Sequence, residues 1–307
     1  MTRIALHVRA VVFALLAGLP VLLGLAGCDR DSRDSKASGP NPARELVFYS
    51  WEEDLPPSLL TAFTAETGAR VVYRTYRSTE EGVAGIRSGQ VCDVAVIENP
   101  FIPDLAAEGL LAELDHRNIP NLVHLAEDFR ELLFDPGNRY SVTFNWGLTG
   151  LVVRDDLAQG RVTRWADLWD ERFAGRIQVW DLQRTLVGIA LKSLGHSANS
   201  EHPAELEAAL ARLVQLKARA RTSGYAPDLA EQALANGRTA LLYGYSQDLL
   251  RGRQRGLQVS FVLPAEGSIQ WTDNFVVPAA SPNKHLAERF IDFMLRPENS
   301  ARIVNEQ

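Results

Sequence analysis

Carboxylate and aromatic side chains follow the apolar runs of this sequence, at the points where predicted strands end. The residues with this placement are Trp51, Glu52, Glu53 and Asp54 after Leu46–Ser50, Glu98 after Asp93–Ile97, Asp181 after Arg176–Trp180, Tyr243 and Tyr245 at the end of Thr239–Tyr243, and Trp271 and Asp273 before Phe275–Pro278. A carboxylate accepts a charge-assisted hydrogen bond from an ammonium group, and an aromatic face attracts a cation by about 0.5–2 kcal/mol. Together these residues predict a cleft for a compact or linear organic cation.

Each of these residues alone also has an ordinary structural explanation. A tryptophan at a strand end commonly packs in the core, and an aspartate after a strand commonly caps a helix. A carboxylate pair such as Glu52 and Glu98 also serves glycoside hydrolysis, but nothing in the spacing supports that chemistry. The prediction of a cation site therefore depends on the joint pattern rather than on any single residue.

Strands and helices alternate along the chain from about residue 44. The predicted strands are Leu46–Ser50, Arg70–Tyr76, Asp93–Ile97, Tyr140–Trp146, Leu148–Val153, Arg176–Trp180, Thr239–Tyr243, Val259–Leu263 and Phe275–Pro278. The predicted helices include 56–67, Glu80–Ser88, Ile102–Glu108, Gln183–Leu194, Pro203–Ala220, Gln247–Gly252, Leu286–Leu295 and Pro297–Asn305. This order predicts an α/β fold with mostly parallel sheets covered on both faces. Open sheets of this kind bind ligands beyond the carboxyl ends of their strands.

The pattern divides the folded part into two α/β lobes that interleave along the chain. We expect the first crossing near Gly147–Thr149 and the return near Trp271–Asp273. Lobe 1 then comprises residues 44–146 and 273–307, and lobe 2 comprises residues 147–272. A folded part of about 260 residues is long enough for a sizeable hydrophobic core.

The composition excludes several functional classes. The chain has 307 residues, of which 23% are charged and 46% hydrophobic, and such values argue against disorder and against a multi-span membrane protein. A formal net charge of -6 without a basic stripe argues against nucleic-acid binding. Two cysteines, Cys28 and Cys92, are too few for a disulfide scaffold or a cysteine-built metal centre. We expect Cys92 to be an inert core thiol.

Enzyme signatures are absent from the sequence. The six histidines form no H-E-x-x-H motif, and no G-x-S-x-G motif occurs. The run Gly147-Leu148-Thr149-Gly150 lacks the lysine of a phosphate-binding loop. We therefore predict a binding protein with no metal or other cofactor, and a surface enzyme is the disfavoured alternative.

The first 27 residues resemble the signal peptide of a bacterial lipoprotein. Arg3 and Arg9 precede an unbroken apolar and small run that ends at Gly27, which is typical of a secretory signal. The run leads into Leu25-Ala26-Gly27-Cys28, which looks like the lipobox of lipoproteins, whose cysteine is lipidated and becomes the first residue. An uncleaved membrane anchor is the alternative, because 18 apolar residues approach the length of a span.

Residues 28–43 have the composition of a flexible tether. Cleavage before Cys28 removes two arginines and no acid, so the formal net charge changes from -6 to -8. Asp29 resembles a signal for retention in the inner membrane. We therefore expect a lipid-anchored protein on the periplasmic side of the inner membrane, or on the outer face of the cell membrane in a Gram-positive organism.

Several blocks of the sequence closely resemble the spermidine/putrescine-binding proteins of polyamine ABC transporters. These blocks are VFYSWEEDLPPSLLTAFTAETGARVVYRTYRSTEE at 47–81, VTRWADLW at 162–169, LKSLGHS at 191–197, LPAEGSIQWTDNFVVP at 263–278 and FIDFMLRPE at 290–298. The similarity runs from about Leu46 to the last residue.

The resemblance implies a type II-like periplasmic-binding-protein fold, in which two lobes close on the ligand about a hinge. It also implies a membrane permease and an ATPase as partners, and we expect the receptor to be a monomer. In this family an aromatic box holds the methylene chain and carboxylates hold the amines. Trp51 and Trp271 match box positions, Asp273 matches an acid that grips an amine, and Tyr243 falls where the family usually has a tryptophan.

The chain departs from the family pattern at several ligand positions. Thr185 replaces the acidic anchor after the strand RIQVW, and Leu182, beside Asp181, replaces its partner acid. Glu98 replaces a small hydroxyl residue, and Asp54 replaces a tyrosine. Compared with the family pattern, the second lobe thus has fewer acidic residues at ligand positions and the first lobe has more.

Two interpretations of these departures stay open. In the first, the amine contacts move toward Glu52, Glu98 and Asp181, and the ligand is still a linear polyamine. In the second, the ligand is another organic cation, such as a thiamine-like or quaternary amine, which aromatic boxes also hold. A receptor of this fold that senses its ligand for a signalling partner is a further alternative.

The resemblance also concerns the end of the chain. Members of the family continue for a few dozen residues past the helix that stops at Gln307, and that tail adds helices to the first lobe. We therefore expect a lower stability than that of a full-length relative.

Overall fold

The computed structural model describes residues 44–306, which form nine strands, nine α-helices and short 3-10 helices. The strands are β1 Glu45–Trp51, β2 Arg70–Tyr76, β3 Val94–Glu98, β4 Ser141–Arg154, β5 Ile177–Trp180, β6 Ala220–Ser223, β7 Leu241–Gly244, β8 Val259–Val262 and β9 Ile269–Val276. The helices are α1 Pro57–Thr67, α2 Thr79–Arg87, α3 Ile102–Ala107, α4 Gln183–Ser193, α5 Pro203–Lys217, α6 Pro227–Ala235, α7 Ser246–Gln254, α8 Lys284–Met294 and α9 Pro297–Asn305.

The predicted signal peptide, the lipidation site Cys28 and the tether up to residue 43 lie outside the described residues. Between residues 44 and 306, none of the helices has the length and apolar character needed to span a bilayer. Cys92 is buried, and burial raises the pKa of its thiol to about 12. The prediction that Cys92 is a core thiol is therefore confirmed.

The strands pair in the order β2-β1-β3-β9-β4-β7-β5-β6, and β8 also pairs with β4. The outer strands are parallel, because β1 pairs in this sense with β2 and β3, and β5 does so with β6 and β7. The central pairs, which involve β4 and β9, are antiparallel. The prediction of mostly parallel sheets is therefore wrong for the centre of the sheet, where the two long strands β4 and β9 run antiparallel to each other.

The long strands β4 and β9 differ from their predicted form. The structure continues β4 through Gly147, where the sequence suggested a break, and β9 begins at Ile269 rather than at Phe275. Gly147 pairs with Trp271 across the two strands, and a Cβ atom on Gly147 would collide with the Trp271 indole. The glycine is thus needed for close approach of the indole, not for a break. Trp271 and Asp273 lie within β9 rather than before it.

The buried apolar residues form three clusters. One cluster draws all its buried members from residues 151–259 and includes Trp165 and Trp180. The other two draw theirs from residues 46–142 and 275–303, and the larger of them includes Phe48 and Phe290. The predicted lobe boundaries stay a prediction.

Local signals explain where several helices begin and end. Pro57 opens α1, where the first turn needs no N–H donor, and Gly68 ends it with a left-handed φ of 71°. The Ser78 hydroxyl accepts the Glu81 N–H at the start of α2, and the Glu81 carboxylate accepts the Arg77 N–H at 2.9 Å. The first contact satisfies an N–H group that the helix cannot pair internally, and the second fixes the residue before the cap.

Two elements of the second half were not predicted. The sequence suggested a helix to Ala220, but α5 ends at Lys217 and β6 follows at Ala220–Ser223. The run ARTS has no alternation of apolar residues, so its pairing with β5 is set by tertiary contacts. The helix α6 was also missed, although Pro227 and Asp228 at its start are ordinary helix-start signals.

Candidate ligand-binding site

A cavity of about 710 Å3 lies where the strand ends of β1 and β3 and the middle of β9 face the first turns of α4, α6 and α7. Nine of the residues selected from the sequence line this cavity, namely Trp51, Glu52, Glu53, Asp54, Glu98, Thr185, Tyr245, Trp271 and Asp273. The structure therefore brings together residues that are up to 222 positions apart in the sequence (51 to 273). This volume is in the range of ordinary small-molecule sites.

Asp54, Glu98 and Asp273 form what we term the acidic cluster. Glu98 ends β3 directly opposite Asp273 of β9 in the antiparallel register. Asp273 is only 7% exposed, and its Oδ1 has no hydrogen-bond partner among the described residues. A buried carboxylate oxygen without a partner is costly, so this position favours a cation or a hydrogen-bond donor.

Burial raises the pKa values of all three carboxylates of the acidic cluster. Burial raises the pKa of Asp54 to about 7, against a hydrogen bond donated by the Ser50 hydroxyl. Burial likewise raises the pKa of Glu98 to about 7. The pKa of Asp273 lies well above its ordinary value, because of burial first and then the charges of Asp54 and Glu98. An ammonium group would stabilise the ionised form of all three carboxylates.

The loop after β1 holds Asp54 through Tyr73 of β2. The Tyr73 hydroxyl donates to the Trp51 carbonyl and accepts the Asp54 N–H at 3.0 Å. Between them, Glu53 has a φ of 62°, which is uncommon for a residue other than glycine. The turn is therefore held in one conformation that directs Trp51 and Asp54 to the same cavity.

Aromatic rings line both sides of the cavity. Trp51 packs edge-on against Tyr76, with 4.9 Å between ring centroids. Trp271 packs against Tyr245 at 5.7 Å, and Tyr245 packs against Tyr225 at 5.3 Å. All five residues line the cavity, and such faces suit the methylene chain and the charge of an organic cation.

The helix side of the cavity contains residues that the sequence analysis did not select. The prominent ones are Arg184 at the start of α4, Tyr225 before α6 and Arg251 of α7. The Tyr245 N–H donates to the buried Asp248 carboxylate at 2.9 Å, and Nη1 of Arg251 lies 3.6 Å from Asp248. Tyr245, which the sequence analysis did select, stands just after a predicted strand and Gly244, whereas the segment around Tyr225 carried no such signal.

Two predicted site residues do not line the cavity. Asp181 is exposed, and its N–H donates to the Ser223 carbonyl of β6 at 2.8 Å. Tyr243 is fully buried in β7, between β4 and β5, with its hydroxyl 3.5 Å from that of Tyr245. Tyr245 reaches the cavity in its place because it follows the strand end. Glu52 does line the cavity, but its side chain is exposed.

The described residues contain no group of three or more histidines, cysteines or acids arranged to hold a metal ion.

The family model for bacterial extracellular solute-binding proteins matches residues 58–306. The chain belongs to this family. It is also 32% identical to the spermidine/putrescine-binding periplasmic protein of Escherichia coli over 94% of this chain and 80% of that protein. The putrescine/cadaverine-binding protein of Pseudomonas aeruginosa is 31% identical over 86% of this chain and 78% of that protein.

Solved structures show the same relationship. The spermidine/putrescine ABC transporter substrate-binding protein of Streptococcus pneumoniae is 31% identical, with a TM-score of 0.71 over 85% of this chain and 82% of that one. The TpPotD lipoprotein of Treponema pallidum is 26% identical, with a TM-score of 0.78 over 85% of this chain and 83% of that one. The predicted periplasmic-binding-protein fold is confirmed. Since the family consists of solute-binding proteins, the prediction that the chain is not an enzyme is confirmed as well.

Proposed function

We propose that the chain is the solute-binding component of an ABC importer and captures a linear polyamine of the putrescine or spermidine class. The acidic cluster is the observation that carries this proposal. It lies in the same cavity as Trp51 and Trp271, and the buried Oδ1 of Asp273 has no hydrogen-bond partner within residues 44–306. The relatives named above as binding spermidine, putrescine or cadaverine support it.

Binding follows from the chemistry of the two kinds of side chain. A primary ammonium group donates charge-assisted hydrogen bonds to Asp54, Glu98 and Asp273. The methylene chain packs between the aromatic rings, which also attract the charge. Because the three carboxylates repel one another in the free protein, the cation also removes an unfavourable interaction.

The lobes of the proposed receptor are residues 44–146 with 273–307, and residues 147–272. The hinge then lies where Gly147 pairs with Trp271, on the antiparallel strands that run between the apolar clusters. Binding energy stabilises the closed arrangement. A monomeric receptor in this form delivers its ligand to a permease that an ATPase drives.

Lipid attachment at Cys28 completes the proposal, with residues 28–43 as the tether to the periplasmic side of the inner membrane. Its support is the run Leu25-Ala26-Gly27-Cys28. The variant Cys28→Ala tests it by fractionation of cells and by incorporation of labelled fatty acid. We expect the label to be lost; labelled Cys28→Ala protein would contradict the attachment site.

Calorimetry with putrescine, cadaverine, spermidine and spermine tests the ligand class. We expect saturable binding of one amine per chain and a rise in the unfolding temperature of the purified protein. The absence of both heat and a thermal shift with all four amines at millimolar concentration would overturn the proposal.

A further inference from the structure

Asp248 of α7 is a fully buried carboxylate that amine binding at the acidic cluster does not use. Its side chain does not line the cavity, but it contacts three residues that do. The Tyr245 N–H donates to Oδ2 at 2.9 Å, and the Tyr225 hydroxyl donates a long hydrogen bond to Oδ1 at 3.5 Å. Nη1 of Arg251 lies 3.6 Å from Oδ1. Asp248 thus lies directly behind Tyr225 and Tyr245, which we term the aromatic wall.

An ordinary helix cap explains only part of this arrangement. Asp248 is the third residue of α7, and its bond to the Tyr245 N–H is typical of a helix start. A cap needs neither complete burial nor the contacts with Tyr225 and Arg251. A Cβ atom on Gly244 would lie 2.6 Å from Oδ2, so the carboxylate occupies the space that a side chain at position 244 would need.

Arg251 is a cation in a cavity that we propose to bind cations. Among residues 44–306 three arginines line the cavity, and two of them, Arg77 and Arg184, are exposed. The side chain of Arg251 is only 22% exposed, and its Nη1 is buried without a hydrogen-bond partner in the described part of the chain. Solvent screens a partly buried charge less than an exposed one. Without a counter-charge, Arg251 would therefore repel an ammonium group at the aromatic wall.

Asp248 supplies this counter-charge. Burial raises the pKa of its carboxyl group to about 6, while the Tyr245 N–H and the charge of Arg251 oppose that rise. Above pH 7 the carboxyl group is therefore largely ionised, and its ion pair with Arg251 has no net charge. The rings of Tyr225 and Tyr245, whose centroids are 5.3 Å apart, then remain as the groups that attract a cation.

An ammonium group at the aromatic wall meets no buried acid in the lining beside it. Within the segment 147–272, Asp228 is the single acid that lines the cavity, and it is exposed. Thr185 and Leu182 stand where the polyamine-binding family has acids. A second ammonium group therefore depends on the ring faces and on the cancellation of the Arg251 charge.

We propose that Asp248 is a positioning residue that determines specificity for diamines, because it cancels the charge of Arg251 and fixes the aromatic wall for a second ammonium group. The inference rests on the proposed function, since the first ammonium group must enter the acidic cluster. Asp248 acts through Arg251, Tyr225 and Tyr245 and does not itself touch the ligand.

Calorimetry at pH 8 with two amines of equal carbon-chain length tests the proposal. The pair is putrescine and n-butylamine, which has one ammonium group fewer. Asp248→Asn keeps the size of the side chain and an oxygen for the Tyr245 N–H, but it leaves Arg251 without a counter-charge. We expect this variant to bind putrescine at least about tenfold more weakly and n-butylamine less than about threefold more weakly.

A second substitution separates charge cancellation from a structural role. We expect Arg251→Gln, added to Asp248→Asn, to restore the putrescine affinity at least about tenfold, because it removes the uncompensated cation. The matched control is Arg253→Gln in the same background, since Arg253 is exposed on the same helix and does not line the cavity. We expect no such restoration there. Thermal unfolding verifies that each variant is folded.

The outcomes separate this inference from the proposed function. If the wild type binds none of putrescine, cadaverine, spermidine and spermine, both are overturned. An unchanged putrescine affinity in Asp248→Asn, or equal losses for the two amines, overturns the inference alone. Equal restoration by Arg253→Gln assigns the effect to net charge and also overturns it. If Asp248→Asn does not fold, the double variant with Arg251→Gln decides, because a putrescine affinity more than about tenfold below that of the wild type overturns the inference.

Discussion

The acidic side of the cavity lies on strands, whereas the opposite side is formed by the first turns of three helices. On the acidic side, Glu98 and Asp273 are fixed opposite each other by the register of β3 and β9. On the helix side, Tyr225, Tyr245 and Arg251 are arranged around the buried carboxylate of Asp248. The first side concentrates negative charge by backbone pairing, and the second presents positive ends of helices. In the proposed function, the strand side binds the ammonium group of the ligand.

The variant Asp273→Asn, on the strand side, has the largest expected effect on amine affinity. It keeps the size of the side chain and removes the most deeply buried charge of the acidic cluster. We expect amine affinity to fall about 100-fold, since loss of a buried charge pair costs about 3 kcal/mol. The free protein should unfold at the same or a higher temperature at pH 8, because repulsion with Asp54 and Glu98 is removed. Calorimetry and thermal unfolding measure the two effects.

The opposite pattern would contradict the role of Asp273. If Asp273→Asn kept its affinity but lost stability, the carboxylate would be a structural group rather than a ligand-binding one. The isosteric change Thr272→Val at the neighbouring position of β9, which does not line the cavity, controls for damage to the strand.

A change of pH has the next largest expected effect on amine affinity. Asp54 and Glu98 each have a pKa of about 7 in the free protein, and an ammonium group favours their ionised forms. Affinity should therefore rise about tenfold for one such group between pH 6 and pH 8. Calorimetry in two buffers of different ionisation enthalpy should show proton release on binding. An affinity that is constant from pH 6 to pH 8 would contradict these shifts.

The free energy of unfolding of the ligand-free protein should fall with rising pH, whereas the affinity for the amine rises. The folded pKa values of Asp54 and Glu98 lie above their ordinary values of about 4, so the folded state holds protons that the unfolded state has lost. The stabilisation that these two protonated carboxyl groups give the folded state is fully present below about pH 4. It is lost as the pH rises through about 7. A bound amine should remove this loss, because it pairs with the ionised carboxylates.

The strand side was predictable from the sequence to a greater degree than the helix side. Glu98 follows a short apolar run that forms only a buried strand, and β2 and α9 have the predicted bounds residue by residue. Arg184 could not be selected, because an arginine in the first turn of a helix ordinarily points to solvent. Its place in the cavity depends on how β5 and β9 are paired through β7 and β4. Long-range pairing of this kind leaves no local pattern.

The same difference explains why two of the predicted site residues do not line the cavity. Asp181 and Tyr243 were selected because they stand at strand ends, which is a sound rule for parallel strands. Both lie on the helix side, where the residues that reach the cavity come one helical turn later or from the next loop. Thr185 and Tyr245 occupy those positions.

The variant Gly147→Ala tests how the two sides are joined. The added Cβ atom would collide with the Trp271 indole, so the ring must move from its place beside Tyr245. We expect affinity to fall about tenfold and stability to fall by about 1–3 kcal/mol, as is usual for overpacking. The control is Gly224→Ala, since that glycine also lines the cavity but a Cβ there meets no atom within 4 Å. Tryptophan fluorescence reports the displaced ring, and equal effects of both variants would contradict this reading of Gly147.

The variant Asp181→Asn has the smallest expected effect. The side chain is exposed and does not line the cavity. The hydrogen bond of Asp181 to the Ser223 carbonyl is donated by the backbone N–H, which asparagine keeps. Water and salt screen an exposed charge over about 10 Å at 0.1 M ionic strength, so we expect amine affinity to change less than about twofold. Asp273→Asn removes the same charge and the same atoms from the opposite side. A large loss in Asp181→Asn would therefore mean that the helix side holds an amine through its own acid, and the assignment of amine binding to the strand side would be wrong.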